Sequence, residues 1–180
     1  MREIKFRAWS NKYQHMFRVR EITQDRNGYT HGTIDEEFEN EFEPEFDTPF
    51  AWVGRVDFTK SPDGEQSGLF QDPDEEPFYL MQYTGLKDKN RKEIYEGDII
   101  HCVHWFFDGN EIEEHFTASV GFRDGSFTLE NINSRYYSDY TFEENGKGIC
   151  WIGDINYCDE DYEIIGNIYQ NPDLLLEATE

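Results

Sequence analysis

The sequence predicts a mainly β protein, a β-rich α+β chain with a small, partly open barrel in its C-terminal half, and three observations carry that prediction. Aromatic residues make up 17% of the chain, and Phe and Tyr recur in short alternating runs bounded by Gly, Asn and Asp, the pattern of half-buried strands rather than long helices. After residue 78 five or six such runs follow one another with Gly and Asp at their corners, which suits a small barrel. Between them lies the stretch around which the chain is organised, FYLMQYTGLKDKNRKEIYEGDII, Phe78 to Ile100. It holds an apolar strand, a charged turn at Lys87-Asp88-Lys89-Asn90 and the start of a second strand. Gly97 there can take positive φ, and Asp98 can hydrogen-bond backbone two residues on.

Taken in order, residues 1–59 form a β-rich N-terminal lobe. Ile4, Phe6 and Ala8 alternate with Lys5 and Arg7, so a first strand with a basic outer face is expected, and Tyr13, Met16, Phe17 and Val19 lead into a second. Asn27-Gly28 is a tight-turn pair. Asp35 to Phe50, DEEFENEFEPEFDTPF, can be read in two registers. As a helix it spaces Phe38, Phe42, Phe46 and Phe50 four apart, but Pro44 and Pro49 break that helix. As extended chain it places Glu37, Glu39, Glu41, Glu43 and Glu45 on one face, and the prolines confine it to an edge strand or a peptide-like arm. The extended reading is preferred. A strand is expected over 50–58, a linker or loop rich in Pro and charge over 60–77, and the barrel over 78–180. Strands in the barrel are expected at 78–83, 98–107, 116–122, 126–132, 149–153 and 162–169, with a hairpin turn at Asp124-Gly125. Asn171-Pro172 suits the start of a short terminal helix, PDLLLEA.

The formal charge of −23 is unevenly placed. Residues 1–34 hold seven Lys/Arg against three acids, residues 35–80 two against fifteen, and the last hundred residues seven against twenty-one. Such a surface repels phosphate backbones, so direct nucleic-acid binding is disfavoured; the exception to weigh is the basic N-terminal strand region with Arg2, Lys5, Arg7, Lys12, Arg18 and Arg20. No window holds eighteen apolar residues and the N-terminus lacks an apolar signal core, so a soluble, cytoplasmic protein with no membrane partner is expected. Cys102, Cys150 and Cys158 are an odd count without CxxC spacing, which points to reduced, buried thiols.

The opening MREIKFRAW, the stretch FYLMQYTGLKDKNRKEIYEGDII and the closing YEIIGNIYQNP together resemble the YopX family of phage and prophage proteins. The resemblance covers about a quarter of the chain, at 1–9, 78–100 and 162–172. It implies an SH3-like barrel in the C-terminal half and a more variable N-terminal region. It does not reach the acidic insert at 35–77, which inherits nothing from it.

No chemistry-bearing motif stands against the ordinary reading of these residues. His101, Cys102 and His104 with Cys150 and Cys158 are badly spaced for zinc, since on a strand His101 faces away from Cys102 and His104. Asp159-Glu160-Asp161 and Asp72-Pro73-Asp74-Glu75-Glu76 lack the pattern of a calcium loop and read as solvated charge. There is no GxSxG, no phosphate loop, and no Cys with a base beside it; Glu113, Glu114 and His115 fall in a loop-like run. The expectation is no enzyme, no catalytic residue, no metal and no cofactor.

The acidic segment is the functional candidate. Same-face glutamates in extended chain lie roughly 6.6 Å apart, about two steps along a nucleic-acid strand. The expected partner-binding residues are Asp35, Glu36, Glu37, Phe38, Glu39, Glu41, Phe42, Glu43, Glu45, Phe46 and Asp47, joined by Asp72, Asp74, Glu75 and Glu76. The expected partner is a host nucleic-acid-binding protein, a nuclease or CRISPR effector, whose basic groove this segment enters as a DNA or RNA mimic. The contrasting reading is a non-enzymatic adaptor or assembly module of prophage DNA metabolism, able to form homo-oligomers through Trp105, Phe106, Phe107, Tyr136 and Tyr137.

Overall fold

A computed structural model of the chain describes residues 3–38, 50–58, 78–107, 109–132, 142–144, 147–152 and 162–175. It is mainly β, with antiparallel strands throughout, and divides into two compact units. Lys5–Gln82 form one; Met1–Ile4 with Tyr83–Glu180 form the other.

In the N-terminal unit β1 (Phe6–Ser10) lies between β2 (His15–Gln24) and the first half of β5 (Tyr79–Lys87), and β3 (Thr30–Phe38) and β4 (Phe50–Asp57) continue the sheet beyond β2. The expected Asn27-Gly28 turn is present: Gly28 has φ +89°, and Asp25 Oδ1 accepts the amides of Asn27 at 2.8 Å and Tyr29 at 2.9 Å. Ala8, Phe17, Ile34, Val56, Phe58 and Phe78 form the core, with Phe17 and Phe78 packed edge to face at 5.5 Å between ring centroids. β2 bulges between Val19 and Glu21, and there Gly32 of β3 approaches so closely that a Cβ would fall on the Glu21 carbonyl. The alternation of sequence hydrophobicity did not reveal β3, because Thr30, Gly32 and Asp35 interrupt it.

In the C-terminal unit the second half of β5 turns back on β6 (Glu93–Tyr95), and β7 (Asp98–Phe107), β8 (Glu111–Arg123), β9 (Ser126–Ile132), β10 (Phe142–Glu144), β11 (Lys147–Trp151) and β12 (Tyr162–Asn167) make a sheet of order β10-β11-β9-β8-β7-β12. That order does not close on itself, as a partly open SH3-like barrel requires. One core fills it: Ile94, Ile100, Cys102, Phe116, Ala118, Val120, Phe127, Leu129, Ile132, Cys150, Ile152 and Tyr162. Cys102 and Cys150 are buried free thiols in that core, whereas Cys158 lies outside the described residues. Asp124 (φ +49°) and Gly125 (φ +82°) make the expected hairpin turn between β8 and β9.

Most of the Phe78–Ile100 stretch is explained by this unit's polar interior. Asp88 is fully buried; its Oδ1 accepts the Asn90 and Lys92 amides, each at 2.9 Å, and its Oδ2 accepts the Ile164 amide of β12 at 3.2 Å. Beside it the Lys89 amide donates to the Tyr162 carbonyl at 2.8 Å. The turn closes later than Asn90, through Arg91 in the left-handed region (φ +67°) to the Lys92 carbonyl, which accepts the Asp88 amide at 2.9 Å. Thr84 Oγ1 donates to the Ile94 carbonyl at 2.8 Å and so joins β5 to β6. Gly97 (φ +80°) donates its amide to Val120 O at 2.7 Å and accepts that of Ile168 at 2.9 Å. Asp98 is buried, and its Oδ2 accepts the Tyr95 amide, three residues back, at 2.8 Å. Of the expected terminal helix, Pro172–Leu175 form a 3₁₀ turn, and residues 176–178 lie outside the described residues. Asn171 Oδ1 accepts the Asn167 amide, four residues back, at 3.3 Å.

Candidate partner-binding surface

The acidic segment begins within the N-terminal sheet. Eight residue pairs zip β3 to β4, from His31 opposite Asp57 to Phe38 opposite Phe50. Asp35 has Arg18 of β2 on one side and Val53 of β4 on the other, while Glu36 faces Trp52 and Glu37 faces Ala51. Asp35, Glu36, Glu37 and Phe38 are therefore consecutive residues of one extended strand: Asp35 is paired on both sides, and Glu36, Glu37 and Phe38 run on beyond the last β2 pair with β4 as their paired neighbour. The final pair, Phe38 and Phe50, makes the two ends of 39–49 neighbours across a ladder. Glu39, Glu41, Phe42, Glu43, Glu45, Phe46 and Asp47, and likewise Asp72, Asp74, Glu75 and Glu76, lie outside the described residues.

A second polar cluster was not foreseen. Glu113, Glu114 and His115 belong to β8 and not to a loop. On the face of the C-terminal sheet away from Cys102, His101 Nε2 lies 3.1 Å from His115 Nδ1, and His115 Nε2 lies 3.2 Å from Glu113 Oε1. His101 pairs directly with Thr117, and His115 is its diagonal neighbour across the β7–β8 ladder. Burial first, and then the adjacent His115, lower the His101 pKa below the ordinary histidine value, against the opposing pull of Glu163. Glu163, opposite His101 on β12, is ion-paired with Lys89 at 2.5 Å, and that hydrogen bond holds its carboxyl below the usual range. The signal in sequence was the alternation Glu113-x-His115, but linking it to His101 needs the strand register. Among the described residues no three His, Cys, Asp or Glu side chains are grouped as metal ligands, and no helix is long and apolar enough to cross a membrane.

Of the aromatics expected at an adaptor surface, Trp105 is 57% exposed. Phe106 and Phe107 lie on β7, and Tyr136 and Tyr137 fall outside the described residues.

The chain matches the YopX protein family over residues 5–176. It belongs to the YopX family. The match runs well beyond the three motifs that carried the resemblance, and it makes this a protein of phage type. Among curated proteins none matches the chain significantly. Among solved structures it is similar to the crystal structure of protein EF1440 from Enterococcus faecalis, with 24% sequence identity, a TM-score of 0.48, and coverage of 97% of this chain and 99% of that one.

Proposed function

We propose that this YopX protein is an acidic inhibitor of a host nucleic-acid-dependent defence machine, of the anti-CRISPR or anti-restriction kind. It acts in the host bacterial cytosol without enzymatic chemistry, by occupying a basic groove as a DNA or RNA mimic. The observation that supports this most is the β3–β4 ladder, which pins Phe38 beside Phe50. The run from Asp35 to Asp47 that starts within it has eight acids and no Lys or Arg. A carboxylate-rich segment anchored at both ends loses less entropy on docking than a free tail. The net charge of −23 accelerates encounter with a cationic groove in a salt-dependent way. The phage type of the family supplies the setting.

The test is capture of host nucleases from lysate at low and high salt, by the wild type and by a variant with Glu37, Glu39, Glu41, Glu43 and Glu45 changed to Gln. Capture that weakens with salt and is lost in the variant is expected. Capture unchanged in the variant removes the segment from the mechanism. The adaptor reading is favoured by the exposure of Trp105, and it predicts an oligomer insensitive to salt in size-exclusion chromatography with light scattering.

A further inference from the structure

The β7–β8 hairpin carries an aromatic side chain that its own unit does not pack. Tyr13 and Phe122 are also exposed, but Tyr13 leans on Phe17 and Phe78, and Phe122 on Phe127. Trp105 has no such ring partner among the described residues. Its neighbours follow from the register: Glu113 is directly opposite, Glu111 faces Phe107 one step nearer the turn, and His115 faces Val103 one step farther. Directly opposed residues share a face with Cβ atoms roughly 5 Å apart, and diagonal ones lie within reach of long side chains. Two exposed carboxyl groups thus flank the indole. Glu113 is steadied by His115, and His115 by His101. Between Lys92 and Arg123 the chain has no Lys or Arg, so β7 supplies none to this face, and the one arginine of β8, Arg123, stands at the strand's other end, ion-paired with Glu130.

We propose that Trp105, Glu111 and Glu113 form a receptor for an arginine side chain of a protein partner. The guanidinium lies on the indole face, and its N–H groups donate to the two carboxyl groups. Indole is the strongest cation–π surface among the side chains. The planar guanidinium both stacks and forks onto carboxylates, which an ammonium does not. The inference rests on the function proposed above for the sign of the partner's charge; the site shares no residue with the acidic segment.

The full chain, labelled with ¹⁵N and titrated with tetra-arginine amide, tests this through the Trp105 indole N–H resonance, assigned by its loss in Trp105→Phe. A saturable shift is expected in the wild type and in the variant with the five glutamates of the acidic segment changed to Gln. The surface double variant Glu111→Gln/Glu113→Gln weakens it about three- to tenfold, and tetra-lysine is weaker than tetra-arginine. An indole resonance that does not move, that responds equally in the double variant, that responds equally to tetra-lysine, or that stops responding when the acidic segment is neutralised overturns the proposal. If the shift persists while nuclease capture ignores the acidic segment, the mimicry reading fails and this site stands. The converse result has the opposite meaning.

Discussion

Asp88 offers the sharpest test of how this fold is held. Its two side-chain oxygens receive three backbone amides, two from its own turn and one from Ile164 on β12, at a position with no solvent exposure. Asp88→Ala removes all three acceptor contacts at once. Each buried amide left without an acceptor costs about 1–3 kcal/mol. Asn90 and Lys92 are solvent-exposed, so water can replace the acceptor on their side, and the Ile164 amide carries most of the penalty. A loss of about 3–4 kcal/mol is expected for Ala. Asp88→Asn keeps one carbonyl oxygen for the turn and opposes an NH₂ to the Ile164 amide, so about 1–2 kcal/mol is expected for Asn. Equilibrium urea unfolding of both variants, with Asn90→Ala as the turn control, measures these differences. A loss below about 1 kcal/mol for Asp88→Ala, or equal losses for Ala and Asn90→Ala, would refute the claim that Asp88 ties the turn to β12.

Two further outcomes follow from named contacts. Gly32→Ala puts a Cβ on the Glu21 carbonyl and against Phe58 Cε2 at 2.9 Å; backbone at the β2 bulge cannot yield cheaply, so a loss of more than about 2 kcal/mol is expected in urea unfolding, and a neutral result would mean that the bulge relaxes. For pH, the folded protein favours neutral His101, whose pKa is lowered by burial and by His115. The unfolded chain therefore binds the proton first: the stabilisation is present above the ordinary value near 6.5 and is lost as pH falls from there through the folded value. The urea midpoint of the wild type is expected to fall more steeply between pH 7.5 and about 5.5 than that of His101→Gln, and parallel profiles would show that His101 is not coupled to folding.

The sequence announced strands wherever apolar and polar residues alternate over several positions, and β1, β5, β7, β9 and β12 lie where that alternation places them. Local turn chemistry was equally legible at Asn27-Gly28, Gly97 and Asp124-Gly125, because a positive φ leaves its mark in residue type. Arg91 was not, since a left-handed arginine has no such mark and is imposed by the amides that converge on Asp88. β6 is only three residues long, and β3 is interrupted by Gly32; β6 is held by pairing with β5, and β3 by pairing with β2 and β4, rather than by a pattern of its own. The site divides in the same way. The acidic run from Asp35 is plain in composition, whereas the His101–His115–Glu113 chain and the flanks of Trp105 arise from a register between β7 and β8 that no local pattern encodes.

The ladder that ends at Phe38 and Phe50 has a bearing on how such a protein can diversify. Because eight pairs hold β3 to β4 without any contribution from the intervening eleven residues, 39–49, that stretch can change in length and content while those pairs are kept. Different recognition sequences could be carried on one unchanged framework, and a foreign peptide spliced between those two phenylalanines is the engineering use of the same freedom.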